Sequence, residues 1–567
     1  MSFRSPTSDY RFILDEVAGF SDVAGTETFS EATPDLVDAI LGEAGRLCDT
    51  VIAPLNPAGD ASGAVLENGV VRTSPGFAEG FRAIADGGWI GVTAATEFGG
   101  MGLPNALNTA INDMMSGACL ALQLNPMLTQ GQIEALEAHG DDAMKALYLP
   151  KLISGEWSGT MNLTEPQAGS DVGALRTQAT PNDDGTYAIT GQKIFITWGD
   201  ADFMDNVCHL VLARLPGAVD GTKGISLFLV PKFIPTEDGK PGTRNDLRVV
   251  SLEHKLGIHG SPTAVMEYSG ATGWLVGKQH GGMAAMFTMM NNARLGVGAQ
   301  GIGVAEAAFQ KALAYACERK QGAAKGTGAI VEHADVRRML TAMKAEIFAA
   351  RSIALSCAVA LDMAHATNDD AWTARAALLT PIAKAFGTDT GVHVASEAVQ
   401  VHGGMGFIEE TGIAQYLRDV RITPIYEGTN GIQSMDLVAR KMMDGGEAMF
   451  RILDEIESTA EAARDALPEL AGAVWSAAET LRESTEWLVA QDMDARFAVS
   501  VPYLRAAARV LGGHFHLKAA LAAPGSSRQS LAAFYITRLL PEHDSLLKQV
   551  REGKDGLFDL SLDDLAA

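Results

Sequence analysis

The apolar periodicity changes twice along the chain, and this alternation limits the available folds more than any other feature. From Asp35 to about Gly155 the spacing is mainly helical, as in PDLVDAILGEAGRLCD, where apolar residues recur three and four apart. A Gly-rich loop, GGWIGVTAATEFGGMGLP (87–104), interrupts it with turn residues that end at Pro104. Near Trp157 the pattern shifts to short runs with two-residue or continuous apolar character and many β-branched residues. Examples are TYAITGQKIFIT (186–197), VCHLVLAR (207–214), GISLFLVP (224–231) and TAVMEY (263–268). They predict a compact antiparallel β domain. Helical spacing returns at about Gly281, with one stripe through Val336, Leu340, Met343, Ile347, Ala350 and Ala354. Asp444-Gly445-Gly446 marks a further boundary.

The expected fold is therefore mainly α with a central β domain. A polar N-terminal arm (1–40), with one short amphipathic piece near Phe12–Val17, precedes a helical domain (41–157). The β domain (158–280), a helical bundle (281–445) and a helical extension (446–567) follow. Segregated strands and helices exclude a doubly wound sheet and a β/α barrel. At 567 residues the chain exceeds what one core organises.

A net charge of −25, with no Lys/Arg run, argues against nucleic acid and anionic membrane as partners. The N-terminus lacks the apolar core of a secretory signal, and no uninterrupted apolar run is long enough to span a bilayer, so the cytoplasm is the expected location. Cys48, Cys119, Cys208, Cys317 and Cys357 are scattered without a CxxC pair. Buried reduced thiols are expected rather than a disulfide framework or a zinc site. His254, His259 and His280 fit no ligand spacing, so no metal is expected.

Four segments stand out, and each has a bland alternative. LTEPQAGSDVGAL (163–175) is a loop able to present backbone N–H groups to a phosphate or a flat ring. KIFITWG (193–199) is strand-like, with Phe195 and Thr197 on one side; alone it reads as a core strand. QVHGGMGF (400–407) ends a helix with Gly403 and Gly404, which suits a ligand's approach or an ordinary helix cap. YEGTNGIQ (426–433) puts Glu427 on a turn, with Thr429 or Asn430 as helix N-cap; a lone acid there is usually solvated. GVGAQG (296–301) matches GxGxxG in letters but has no preceding strand, so its glycines read as helix-packing residues.

In this order and spacing, LTEP-x-AGSDVG, KxxIT, Q-x-x-GGxGF and YEGT resemble the acyl-CoA dehydrogenase family over roughly residues 40 to 445. The loop at 87–104 resembles the family's early signature. The resemblance implies that family's fold, with a β-barrel-like middle domain, and FAD as cofactor. It implies that Thr164, Phe195 and Thr197 contact the flavin, with Ser170 near its pyrophosphate and Leu163 and Gly169 in the same cofactor-binding set. Thr429 would approach its own subunit's FAD. Arg319, Gln400, Gly403 and Gly404 would reach the FAD of a second subunit, which implies a homodimer. Asn291 and Arg294 would hold the CoA portion, Asn291 standing where an acid is common. His402 replaces a larger apolar residue of relatives.

The resemblance also implies a mechanism. Glu427 removes the α-proton of an acyl-CoA thioester while FAD takes a hydride from Cβ, and an electron-transferring flavoprotein reoxidises the enzyme. Some relatives carry the base on a helix at the position of Ala293, which cannot accept a proton. The arm, the extension and EHKLGIHGSPTAVMEY (253–268) resemble the branch acting on 3-methylmercaptopropionyl-CoA. Alternatives are a short- or medium-chain acyl-CoA dehydrogenase, an acyl-CoA oxidase, or a DNA-binding flavoprotein of the same fold. The acidic balance after Gly446 opposes the last.

Overall fold

The computed structural model describes residues 3–323 and 326–567. The chain divides into two compact units. One contains Ala39–Gly296; the other combines Pro6–Asp38 with Val297–Ala567.

In the first unit a hairpin, β1 (Val65–Glu67) and β2 (Val70–Arg72), turns through Asn68 and Gly69, both at positive φ. Asn-Gly is the strongest short hairpin signal, and this pair interrupts a stretch expected to be helical. Its Val71 is fully buried in the β-domain core. Helix α1 (Asn105–His139) is buried almost all round and contains a non-helical residue, Cys119.

The β domain runs through β3 (Trp157–Asn162), β4 (Gln178–Pro181), β5 (Tyr187–Thr197), β6 (Asn206–Arg214) and β7 (Ile225–Pro231). β8 (Phe233–Pro235), β9 (Pro241–Arg244), β10 (Leu247–Leu252) and β11 (Thr263–Val276) complete it. Strand β7 pairs with both β6 and β11, so β11, β5, β4, β6 and β7 close into a ring. This is the expected barrel-like domain, with one correction. β3 pairs with β6 in parallel, as does β4 at its single pairing with β6, whereas a wholly antiparallel sheet was expected. The ring is filled by Ile189, Ile196, Val211, Phe228, Val230, Ala264 and Met266.

Strand β5 carries a bulge. Lys193 pairs with Met266 and Ile196 with Ala264, so Ile194 and Phe195 together face one residue, Val265. Phe195 takes φ 60°, in the left-handed region. The bulge lets both Lys193 and Ile196 point inward, three positions apart, and turns Phe195 out.

Helix α2 (Gly282–Glu318) contains GVGAQG well inside its length, so helical residues, not a strand, lead into the motif. In the second unit, α3 (Ala334–Thr367) and α4 (Asp370–His402) pack against each other, and α5 (Asn430–Val438) lies on α4. By length and composition α3 could cross a membrane, but 83% of its most apolar window is buried inside the fold, as in the core helix of a bundle. Arg351 on α3 is buried beside Glu306 at 3.1 Å, and its guanidinium lies 4.7 Å from the Tyr10 ring centroid. The arm is thus more apolar in its contacts than expected: Tyr10, Ile13, Leu14, Val17, Phe20 and Val23 are all buried. Four cysteines are buried, as expected; Cys317 is exposed, near the C-terminal end of α2.

The extension forms α6 (Glu447–Ala463), α7 (Pro468–Val489), α8 (Ser500–Ala522), α9 (Ser527–Arg538) and α10 (Glu542–Arg551). Arg496 joins it to α5. Its guanidinium donates to Val438 O at the end of α5 (3.2 Å), and to Val489 O (2.5 Å) and Gln491 O (3.1 Å) at the end of α7. A cation there satisfies carbonyls that helix ends leave open and complements two helix dipoles. Arg496→Met should cost about 3 kcal/mol by stranding those carbonyls. Thermal unfolding followed by circular dichroism should show a midpoint lowered by several degrees; an unchanged midpoint would refute the staple.

Candidate active site

Glu427 occupies a turn made by the chain's own backbone. Pro424 O accepts from Asn430 N at 3.0 Å, closing the turn before α5 begins. Glu427 has φ 54° and Gly428 φ 83°, two left-handed residues in succession. For glutamate this costs about 1–2 kcal/mol, and such strain persists only where the surroundings impose it. Here they do. Thr429 is the N-cap of α5, its hydroxyl accepting from Ile432 N at 3.2 Å. Gln433, one turn on, donates back to Glu427 O and Gly428 O, each at 3.3 Å. Its other polar side-chain atom, Oε1, is buried without a hydrogen-bond partner among the described residues.

Asn430 ties the turn to α4. Its Oδ1 accepts from the buried Lys384 Nζ at 2.9 Å, and its Nδ2 donates to Asp389 Oδ1 at 2.7 Å and Thr388 Oγ1 at 3.0 Å. Burial raises the Asp389 carboxyl above the usual carboxylate range, against the bond from Asn430. Tyr426 donates its hydroxyl to Gln300 on α2. The Glu427 side chain itself is half-buried.

The LTEP and KxxIT segments meet in the Ala39–Gly296 unit. Ile194 N donates to Thr164 O at 2.9 Å, so the two are bonded in register. Leu163, Thr164 and Thr197 are half-buried, while Gly169 and Ser170 are exposed. Phe195 is 59% exposed despite its strained backbone. An aromatic ring held outward at such a cost fits a flat, apolar-faced group such as a flavin.

Glu165 and Lys193 are buried as an ion pair at 2.9 Å. Burial alone would raise the Glu165 carboxyl. The Lys193 charge and the donors of Thr177 and Arg176 outweigh it and hold the pKa at about 2. Sequence reasoning missed this pair, and it missed Lys384, Gln433 and the full set of Asn430 partners.

Other expected residues fall as follows. Arg319, Gln400, Gly403 and Gly404 are all exposed. Among the described residues, a Cβ at Gly403 or Gly404 would meet nothing within 4 Å, so this backbone is open to a partner group. Neighbouring Met405, Phe407 and Ile408 are exposed too, Phe407 at 89%. His402 turns inward: its ring stacks on Tyr315 at 4.3 Å and Nδ1 lies 2.8 Å from Ala398 O. Arg294 is buried, with Nη1 3.4 Å from Oδ1 of the exposed Asn291. Ala293 is buried and offers no base. His259 lies 2.9 Å from Asp60. Among the described residues no group of three or more His, Cys, Asp or Glu is placed to hold a metal.

Comparisons with known proteins match four successive parts of this chain, from residue 39 onward. The acyl-CoA dehydrogenase N-terminal domain matches residues 39–156, the middle domain 160–271 and the C-terminal domain 280–443. An acetyl-CoA dehydrogenase C-terminal-like domain matches 452–561. The 3-methylmercaptopropionyl-CoA dehydrogenase of Ruegeria pomeroyi is 43% identical over 565 residues, covering 97% of this chain and 96% of that protein. The structure of Caenorhabditis elegans ACDH-11 in complex with C11-CoA has a TM-score of 0.83 at 21% identity, covering 99% of this chain and 96% of its own. An acyl-CoA dehydrogenase from Bacillus anthracis, complexed with FAD, has a TM-score of 0.73 at 21% identity and covers 95% of this chain and 91% of its own. Matched nearly end to end by a relative of such identity, and with the family's segments in sequence, the chain belongs to the acyl-CoA dehydrogenase family.

Proposed function

We propose that this chain dehydrogenates 3-methylmercaptopropionyl-CoA between Cα and Cβ, giving methylthioacryloyl-CoA, with Glu427 as the base and FAD as cofactor. The observation that carries the substrate is the 43% identity, over 97% of the chain, to the Ruegeria pomeroyi enzyme of that name. The outward Phe195, the open backbone at Gly403 and Gly404, and the bonded Thr164 segment support FAD. Bound FAD supplies the acceptor for the hydride leaving Cβ.

The chain's own groups do the rest. Cα–H beside a thioester is a weak acid, so the base needs a fixed approach, which the closed turn around Glu427 gives. Leu163, Thr164, Gly169, Ser170, Phe195, Thr197 and Thr429 hold the subunit's own FAD. Arg319, Gln400, Gly403 and Gly404 lie exposed, as suits residues that serve a second subunit's FAD in a homodimer. Asn291 and Arg294 hold the CoA portion. An electron-transferring flavoprotein in the cytoplasm takes the electrons onward.

Anaerobic mixing of the purified yellow protein with an acyl-CoA panel tests this reading through flavin absorbance. 3-Methylmercaptopropionyl-CoA should bleach the flavin well ahead of butyryl- and octanoyl-CoA. Faster bleaching by a straight-chain substrate would discard the thioether specialism and keep the family chemistry. Rapid peroxide formation in air, with no other acceptor, would indicate an oxidase instead.

A further inference from the structure

We infer that Lys193 and Glu165 are a positioning pair that sets the flavin-facing surface of the β domain. The inference rests on the FAD reading above. Neither residue is in the set expected to touch the cofactor; both act on that set from behind.

The geometry has three parts. Lys193 Nζ donates to Glu165 Oε1 at 2.9 Å and to the backbone Leu163 O at 3.0 Å. Glu165 gathers the loop around itself. Its Oε1 also accepts from Thr177 N (3.0 Å) and Thr177 Oγ1 (2.5 Å). Its Oε2 accepts from Arg176 N and from Gln167 Nε2, both at 2.7 Å. The loop from Leu163 to Thr177 is thereby closed on one carboxylate. Next, the residue after Lys193 completes the register, Ile194 N bonding Thr164 O at 2.9 Å. The residue after that is Phe195, turned outward by the bulge. Leu163, Thr164, Phe195 and Thr197 are thus fixed to one another through an ammonium and a carboxylate that are 0% and 3% exposed.

Stability alone gives little reason for such a pair. Two charges taken out of water are costly, and apolar residues of the same volume often do as well or better. An apolar residue at 193 would still bury, but it would leave Leu163 O and the carboxylate without their cation. What only the charged pair provides is direction: a fixed line from β5 to the backbone of the LTEP segment.

The test uses apoprotein freed of flavin and retitrated with FAD. It compares the natural chain, Lys193→Met, Glu165→Gln and the double variant. FAD dissociation constants come from flavin fluorescence, the environment of the bound ring from visible circular dichroism, and folding from the thermal midpoint. Each single variant should weaken FAD binding by about tenfold or more and alter the visible spectrum, as when the shell supporting a site is loosened. The double variant leaves no unpaired buried charge. It should regain most of the thermal midpoint but not the affinity or the spectrum. Recovery of both together would overturn the inference, as would a double variant that does not fold, since the pair would then serve folding alone. Natural apoprotein that takes up no FAD would instead defeat the cofactor reading.

Discussion

Glu427→Gln should lower the rate of flavin bleaching by substrate by about 10²- to 10⁴-fold, the usual range for losing a general base. FAD content and thermal midpoint should stay near those of the natural chain. The turn explains the separation of effects. What holds residue 427 is backbone and neighbours: Pro424 O bonded to Asn430 N, Gln433 on two carbonyls, and Thr429 capping α5. Glutamine has the same shape and enters the same left-handed conformation, but its amide cannot take a proton. Glu427→Gly extends the test. At φ 54° glycine relieves strain, so this variant should be equally inactive and up to about 1 kcal/mol more stable. Anaerobic stopped-flow bleaching and thermal unfolding read the two effects. A glutamine variant within tenfold of the natural rate would remove Glu427 from the mechanism.

How much of this is legible in the sequence depends on the range of the interaction. The change of period at Trp157 is local, so the β domain and its principal strands are readable. The YEGT turn is local as well, and glycine after Glu427 announces it. The hairpin at Asn68-Gly69 carries an equally local signal; it escapes a window of helical periodicity because each strand has only three residues. Strand β11 continues to Val276, past the apolar run ending at Tyr268, because two register shifts against β5 let it bend on. The bulge at Phe195 breaks the two-residue alternation without marking the sequence. Lys193 is the hardest case. A lysine in a strand ordinarily signals a solvated face, and its partner stands 28 residues back in a loop. The inward direction of Lys193 follows only from the pairing of β5 with β11. Asn430 is similar, with Lys384 and Asp389 46 and 41 residues back, and so is the bond from Arg496 to Val438, 58 residues away; helix packing brings them close.

The glycines of the false dinucleotide motif carry the other large expected effect. Gly298 and Gly301 on α2 face Gly387 and Gly391 on α4, and the contacts are backbone on backbone. A Cβ at Gly301 would lie 2.4 Å from Gly387 O, one at Gly387 2.7 Å from Gly298 O, and one at Gly391 2.7 Å from Gly301 O. No rotamer change relieves these distances, so the helices must separate. Gly301→Val should therefore destabilise by about 3 kcal/mol or more. It should also lower turnover, because Lys384 and Thr388 flank Gly387 and bond Asn430, behind Glu427. A control lies in the same unit. Gly472, within α7, has nothing among the described residues within 4 Å of an added Cβ. There Gly→Ala should gain up to about 1 kcal/mol from helix propensity, whereas Gly301→Ala should lose stability. Thermal unfolding of the two alanine variants gives opposite signs if helix contact is why glycine stands at 301, and stabilisation at both sites would refute that explanation.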